Sequence, residues 1–271
     1  MQINHNIAAL NTYNKLNLNQ SATSKSLEKL SSGLQINKAG DNAAGLAISE
    51  KMRGQIRGLD QAGANASDGI SLIKTAEGGL TETHSILQRM RELAVQSAND
   101  TNVAGDRTEI QQEMTELTTE ITRIAGSTEF NTIKLLDGTA SGIVIQVGAN
   151  AGQTVAIAIA DMTASGLGLS SGLSVATQSG ANTAITTINT AITLVSAERA
   201  TLGSKQNRLE HTINNLGASS ENATAAESRI RDVDMAKEMM EFTKNNILSQ
   251  AATSMMAQAN QQPQSVLKLL Q

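Results

Sequence analysis

The side chains able to do chemistry in this sequence are few and scattered. His5, His84 and His211 stand apart, with no HExxH pair and no cysteine neighbour, so the spacing that would hold a metal is missing. GDNAAG, from Gly40 to Gly45, has the glycine spacing of a phosphate loop. It lacks the Lys-Ser/Thr that must follow, and no strand precedes it. GLGLSSG at Gly166 does not open a helix, as a dinucleotide fingerprint requires. Carboxylates sit beside Lys or Arg at helical spacing, as in EKMR and RDVDMAKE, the pattern of solvated faces or inter-helix ion pairs. Met239, Met240, Met255 and Met256 could take up copper, but soft, adaptable thioethers better suit a packing seam. The expectation is a protein with no catalytic residues, no cofactor and no metal, and not an enzyme.

Composition points the same way. Aromatics make up 1% of 271 residues (Tyr13, Phe130 and Phe242), with no Trp, so Ala, Leu, Ile and Met must do the packing. Thin packing of that kind suits helical rods. The absence of Cys excludes disulfides and thiolate sites. A net charge of −4 with both signs interspersed shows no nucleic-acid footprint. No apolar run approaches the roughly 18–20 residues that span a membrane. MQINHNIAALNTYNK has neither the basic start nor the apolar run of a secretory signal.

The elements that would position such residues are helices. From Met1 to about Leu34 runs a weak helix, with Ile3, Ile7 and Leu10 at i, i+4, i+7 and seven Asn before residue 40 lowering its propensity. Alone it should fray, so it needs a partner. Gly40 with Asp41–Asn42 reads as a turn and N-cap. A long helix follows to about Asn99, its seam running through Met52, Ile56, Leu59, Ala66, Ile70, Ile73, Leu80, Leu87 and Ala94. Gly54, Gly58, Gly63, Gly69, Gly78 and Gly79 weaken it and mark close approach of neighbours. A helix from about Asp106 to Ala125 carries Ile110, Met114, Leu117, Ile121 and Ile124.

Residues 138–180 change character: eight of these 43 are Gly, and GIVIQVG and TVAIAIA flank GANAGQ as a β-hairpin. The helical period returns from about Ala181 to Gly217 (Ile188, Val195, Leu202, Leu209). A last segment from about Arg229 carries Val233, Ala236, Met240, Ile247, Ala251 and Met255, and Pro263 is expected to interrupt it. The fold class is therefore mainly α: a long antiparallel coiled-coil helical hairpin with a small central β-hairpin region.

Both chain ends are weak helices with an apolar stripe and little core to cover it. Other copies of the same arms are the economical partners. A heterologous contact that does not close gives an open helical filament. A closed coiled-coil oligomer is the rival reading, and would sediment as a discrete particle.

The segments MQINHNIAALNTYNKL, SLEKLSSGLQINKAGDNAAGLAISEKMRGQIRGL, ASDGISLIKTAEGGL, ILQRMRELAVQSAND and RIRDVDMAKEMMEFTKNNILSQAATSMMAQANQQPQSVLKLLQ closely resemble bacterial flagellin, over about residues 1–137 and 182–271. A hook–filament junction protein is the nearest alternative with similar arms. The resemblance implies the structural subunit of the flagellar filament, an extracellular propeller for motility, in a short form without outer variable domains. Residues 1–41 and 229–271 would form the inner tube, 42–137 with 181–228 the next helical layer, and 138–180 the turn-back region.

The implied partners are the chain itself, junction and cap proteins, the export apparatus and its chaperone, and a host Toll-like receptor. Type III export would account for the missing secretory signal. Nucleic acid and membrane insertion are not expected. Carried over residue by residue, the receptor contacts would be Arg89, Leu93 and Glu113. The assembly residues would be Ile3, Ile7, Leu10, Val233, Met240, Ile247, Ala251 and Met255. The tail sensed by a cytosolic receptor would use Leu267, Leu269 and Leu270.

Overall fold

The computed structural model describes residues 6–169 and 173–269, with side chains to residue 261. Five helices carry the fold: α1 (Ile7–Ser32), α2 (Ala43–Ser97), α3 (Ala104–Ser127), α4 (Gln178–Arg231) and α5 (Met235–Leu269). Between α3 and α4 lie two hairpins, β1 (Glu129–Phe130) with β2 (Ile133–Lys134), and β3 (Ile143–Gln146) with β4 (Thr154–Ile157). The chain divides into two compact units, residues 55–221 and residues 1–54 with 222–271.

Side chains start the helices where the sequence offers them. Asn6 accepts from the Ala9 N–H at 3.0 Å, Asn42 from Gly45 at 2.9 Å, and Thr177 from Gly180 at 3.1 Å. Asp234 accepts from both Ala236 and Lys237, at 3.0 and 3.1 Å, and so opens α5. Within RDVDMAKE, then, Asp234 is a helix cap and not part of a solvated charge row. α1 ends at Gly33, whose φ of 72° is open to glycine at little cost.

In the unit of residues 55–221, α2 and α4 run antiparallel. Ser220 donates to Asp60 at 2.7 Å at one level, and Arg199 faces Glu77 at 3.7 Å at another. Every seventh residue of α2 (Ala66, Ile73, Leu80, Leu87, Ala94) and of α4 (Ile188, Val195, Leu202, Leu209) is buried in one core. That is the seam expected of a coiled coil. α3 completes it with Met114 and Ile121, and Leu135 and Leu136 join it from the segment after β2.

The β3–β4 hairpin forms with Ile143 opposite Ile157 and Gln146 opposite Thr154. It is pinned to the helices by Asn65 Nδ2 donating to the Gln146 carbonyl at 3.1 Å and Lys205 Nζ to that of Ala156 at 2.6 Å. The β1–β2 hairpin was not foreseen. Its two turn residues, Asn131 and Thr132, both have positive φ (49° and 66°), as the twist of a two-residue hairpin demands.

Three of the six α2 glycines singled out above behave as expected. A Cβ on Gly69 would collide with Ile145 Cδ1, one on Gly58 would lie 2.9 Å from the Ala149 Cβ, and one on Gly79 2.7 Å from Thr128 Oγ1. Gly54, Gly63 and Gly78 correct the expectation: a Cβ there would meet nothing within 4 Å.

In the unit of residues 1–54 and 222–271, α1 packs along α5. An antiparallel bridge ties the two joints: Gln35 N–H donates to the Arg231 carbonyl at 2.7 Å and Val233 N–H to that of Gly33 at 3.0 Å. Arg231 also reaches Glu50 at 2.7 Å, and Arg53 faces Glu227 at 3.9 Å, so the EKMR motif does supply inter-helix ion pairs. Pro263 does not interrupt the last helix, which continues to Leu269. Proline removes one ladder donor, and a helix of 35 residues carries enough bonds on either side to absorb that.

Candidate assembly and receptor surfaces

The α1–α5 pair meets along a heptad seam built mostly of small and polar residues. On α1 the covered or half-covered positions include Ala9, Thr12, Leu16, Asn19, Thr23 and Ser26; on α5 they include Phe242, Asn245, Ser249, Ala252, Met256 and Ala259. Each set steps by three and four. Asn6 Nδ2 closes the end by donating to the Ala259 carbonyl at 2.8 Å.

Most of the large apolar side chains point elsewhere, Leu16, Phe242 and Met256 excepted. Ile7, Leu10 and Leu18 are exposed on α1, as are Met240, Ile247 and Met255 on α5; Leu18 is 63% and Ile247 61% accessible. At 3.6 residues per turn, Ile7, Leu10 and Leu18 fall on the side of α1 turned away from α5. Met240, Ile247 and Ala251 fall on the side of α5 turned away from α1. The stripe Ile7–Leu10 therefore does not pack against α5 within the chain. Leu27, which repeats the α1 pattern, and Met235 and Leu248 on α5 join the exposed set; Met235 and Leu248 stand off the one stripe that the periodicity singles out. A helix apolar on several sides is one buried on several sides. Val233 is half-buried at the joint, where its N–H is already engaged. Ile3 and the tail residues Leu267, Leu269 and Leu270 lie outside the described side chains.

On the other unit, α2 and α3 bring Arg89 and Glu113 together. Arg89 Nε donates to Glu113 Oε1 at 3.0 Å, and its Nη1 reaches Glu92 at 3.3 Å. The Glu113 hydrogen bond and charge, with help from Glu92, hold the guanidinium above its ordinary range. Both side chains are about half exposed. Leu93 is not on that surface: it is 2% accessible and belongs to the same core as Met90, Ile110 and Met114. As a surface contact it needs correcting, because α3 covers the side of α2 that carries it.

His84 Nε2 pairs with Gln88 at 3.0 Å, and no group of His, Asp or Glu able to hold a metal occurs among the described residues. Met239 and Met240 line an open apolar hollow with Thr243, Lys244 and Ile247. No helix among the described residues is long and apolar enough to cross a membrane.

Residues 3–141 match the bacterial flagellin N-terminal helical region, and residues 185–270 the C-terminal helical region. The chain belongs to the bacterial flagellin family. It is 57% identical over 303 residues to a flagellin of Bacillus subtilis and 56% identical over 271 residues to one of Halalkalibacterium halodurans, with all of both chains covered in each case. The crystal structure of Bacillus cereus flagellin is similar at a TM-score of 0.52 and 37% identity, over 60% of this chain and 94% of that one. This is a short flagellin, and its family assembles into the extracellular flagellar filament. The chain is a structural subunit of that filament.

Proposed function

We propose that the outward apolar faces of α1 and α5 are the elements through which this subunit polymerises. Residues 1–41 and 229–271 act as the inner tube, 42–137 with 181–228 as the surrounding helical layer, and 138–180 as the turn-back. The observation that carries this is the division of labour in the α1–α5 pair. Its intrachain seam is mostly Ser, Thr, Asn and Ala with Leu16, Phe242 and Met256 among them, while Ile7, Leu10, Leu18, Met240, Ile247 and Met255 face out. An apolar face of that extent on a monomer marks an interaction site. Export unfolded through the flagellar channel with a chaperone, and contacts with junction and cap proteins at the filament ends, follow from the same reading.

Electron microscopy tests it, with the full chain beside a version lacking Arg229–Gln271 under polymerising conditions. Tubes from the full chain and none from the truncation are expected. Tubes from both would make the C-terminal arm dispensable, and discrete particles from the full chain would favour a closed oligomer.

We infer further that the free subunit is read by a flagellin-sensing Toll-like receptor through Arg89 and Glu113. What supports this is their pairing on an exposed surface. Leu93 would act from beneath by holding α2 against α3. Leu267, Leu269 and Leu270 are the proposed cytosolic-receptor determinants.

A further inference from the structure

Half of the sulfur in this protein lies on one helix. Met235, Met239, Met240, Met255 and Met256 are five of its ten methionines, and all belong to α5. Their surroundings differ. Met256 is half-covered on the α1 seam, whereas Met240 is 67% and Met255 59% accessible. Met90, Met114 and Met162, in the other unit, are buried. Met240 also lines the open hollow it shares with Met239, Thr243, Lys244 and Ile247, which a small solute can enter. A thioether in water is a target for two-electron oxidants, and its attack depends on access.

Resting on the assembly reading above, we propose that Met240 and Met255 are a peroxide-modification site, and that their oxidation stops a free subunit from joining the filament. The step is an oxygen transfer. A sulfur lone pair takes one oxygen of hydrogen peroxide and the O–O bond breaks. The proton shed by the transferred oxygen leaves with the other oxygen as water. Sulfur loses two electrons and peroxide gains them.

The product is a sulfoxide, polar and a hydrogen-bond acceptor, where a flexible apolar side chain stood. On the outward face of α5 its neighbours are Ile247 and Ala251, whose side chains have no proton to donate. Burying that face then strips water from an acceptor without replacing the hydrogen bond, which is costly. Peroxide reaches Met90 and Met114 only when the core opens, but it reaches Met240 and Met255 in the folded subunit. Once the face is buried in a tube wall, the same sulfurs are shielded. The modification therefore acts on subunits in solution and spares those already in place.

Partition of a sparingly oxidised sample tests this. The full chain is treated with hydrogen peroxide, freed of it, polymerised and centrifuged, and peptide mass mapping locates the added oxygen in tubes and in supernatant. Sulfoxide at Met240 and Met255 is expected to be enriched about tenfold in the supernatant, the order of effect of one unpaired buried acceptor. Met235 is the internal reference. It is exposed as well, but stands about 140° round α5 from Met240, and its sulfoxide is expected to divide evenly.

Even division at Met240 and Met255 would overturn the proposal and leave the assembly reading intact. So would oxygen appearing at Met90 or Met114 before Met240. Failure of the untreated chain to form tubes would overturn both. An M240L/M255L chain gives a second measure, the ratio of tube mass with peroxide to tube mass without. That ratio is expected to fall in the parent and not in the variant; an equal fall in both would place the block at other residues and overturn the proposal. If the variant forms no tubes untreated, the partition in the parent decides.

Discussion

Arg89 and Glu113 are joined by a 3.0 Å ion pair that bridges α2 and α3 while leaving both side chains half exposed. Leu93, four residues on from Arg89 along α2, is buried in the core. Polar surface and apolar support are thus separable by mutation.

For R89A and E113A, the expected outcome is loss of Toll-like-receptor signalling by the monomer with a melting temperature close to the parent, since exposed ion pairs contribute little to stability. L93A is expected to cost about 2–5 kcal/mol, as other buried Leu→Ala changes do, and to lose signalling only as far as it loses fold. Reporter-cell assays beside thermal melts check this. Unchanged signalling in R89A would remove Arg89 from the receptor surface.

The close approach at Gly69 makes a second expectation. A methyl there collides with Ile145 Cδ1 and crowds Leu209. G69A should destabilise by about 1–3 kcal/mol, the usual cost of overpacking. Removing the offending carbon with I145V should restore part of it. G63A meets open space in the chain and should stabilise by up to about 1 kcal/mol through helix propensity. Denaturant unfolding followed by circular dichroism distinguishes the three.

Glu198 provides a pH-dependent case. One carboxylate oxygen is buried without a partner, and burial pushes its pKa up against the opposing pull of the Ala160 N–H and of Lys205. The folded chain then holds this proton at a pH where the unfolded chain has released it. Stability from this group is greatest below the unfolded value and falls as pH rises through the folded one. E198Q should therefore melt higher than the parent at pH 7, and the gain should vanish on acidification to about pH 4, the ordinary glutamate range. A difference that does not change with pH would remove Glu198 as its source.

Asn245 is 8% accessible and lies on the polar α1–α5 seam. Leucine in its place adds apolar burial of about 1–2 kcal/mol to the pair. Slower protease cleavage of the arms in the free N245L chain is expected. Cleavage at the parent rate would mean the seam does not limit arm stability.

Much of this architecture is legible along the chain. The sevens of α2 and α4 fall where one face is buried, because a helix repeats its orientation nearly every seven residues and two such stripes can only satisfy each other. Asn42 as a cap and the β3–β4 hairpin follow from local rules in the same way. The β1–β2 turn was hidden because Thr132, a β-branched residue, takes a positive φ that its type disfavours.

Residue spacing by itself determined that the arms are helices with an apolar stripe. It could not determine what covers each stripe, since periodicity marks a face but carries no information on its partner. Only the tertiary structure decided that Ser26 and Asn245 turn inward while Leu18 and Ile247 turn out. Only it decided that α3 lies over Leu93 and leaves Arg89 and Glu113 at the surface. Those choices depend on contacts between residues far apart in the chain, where the neighbour and not the residue type settles which side meets water.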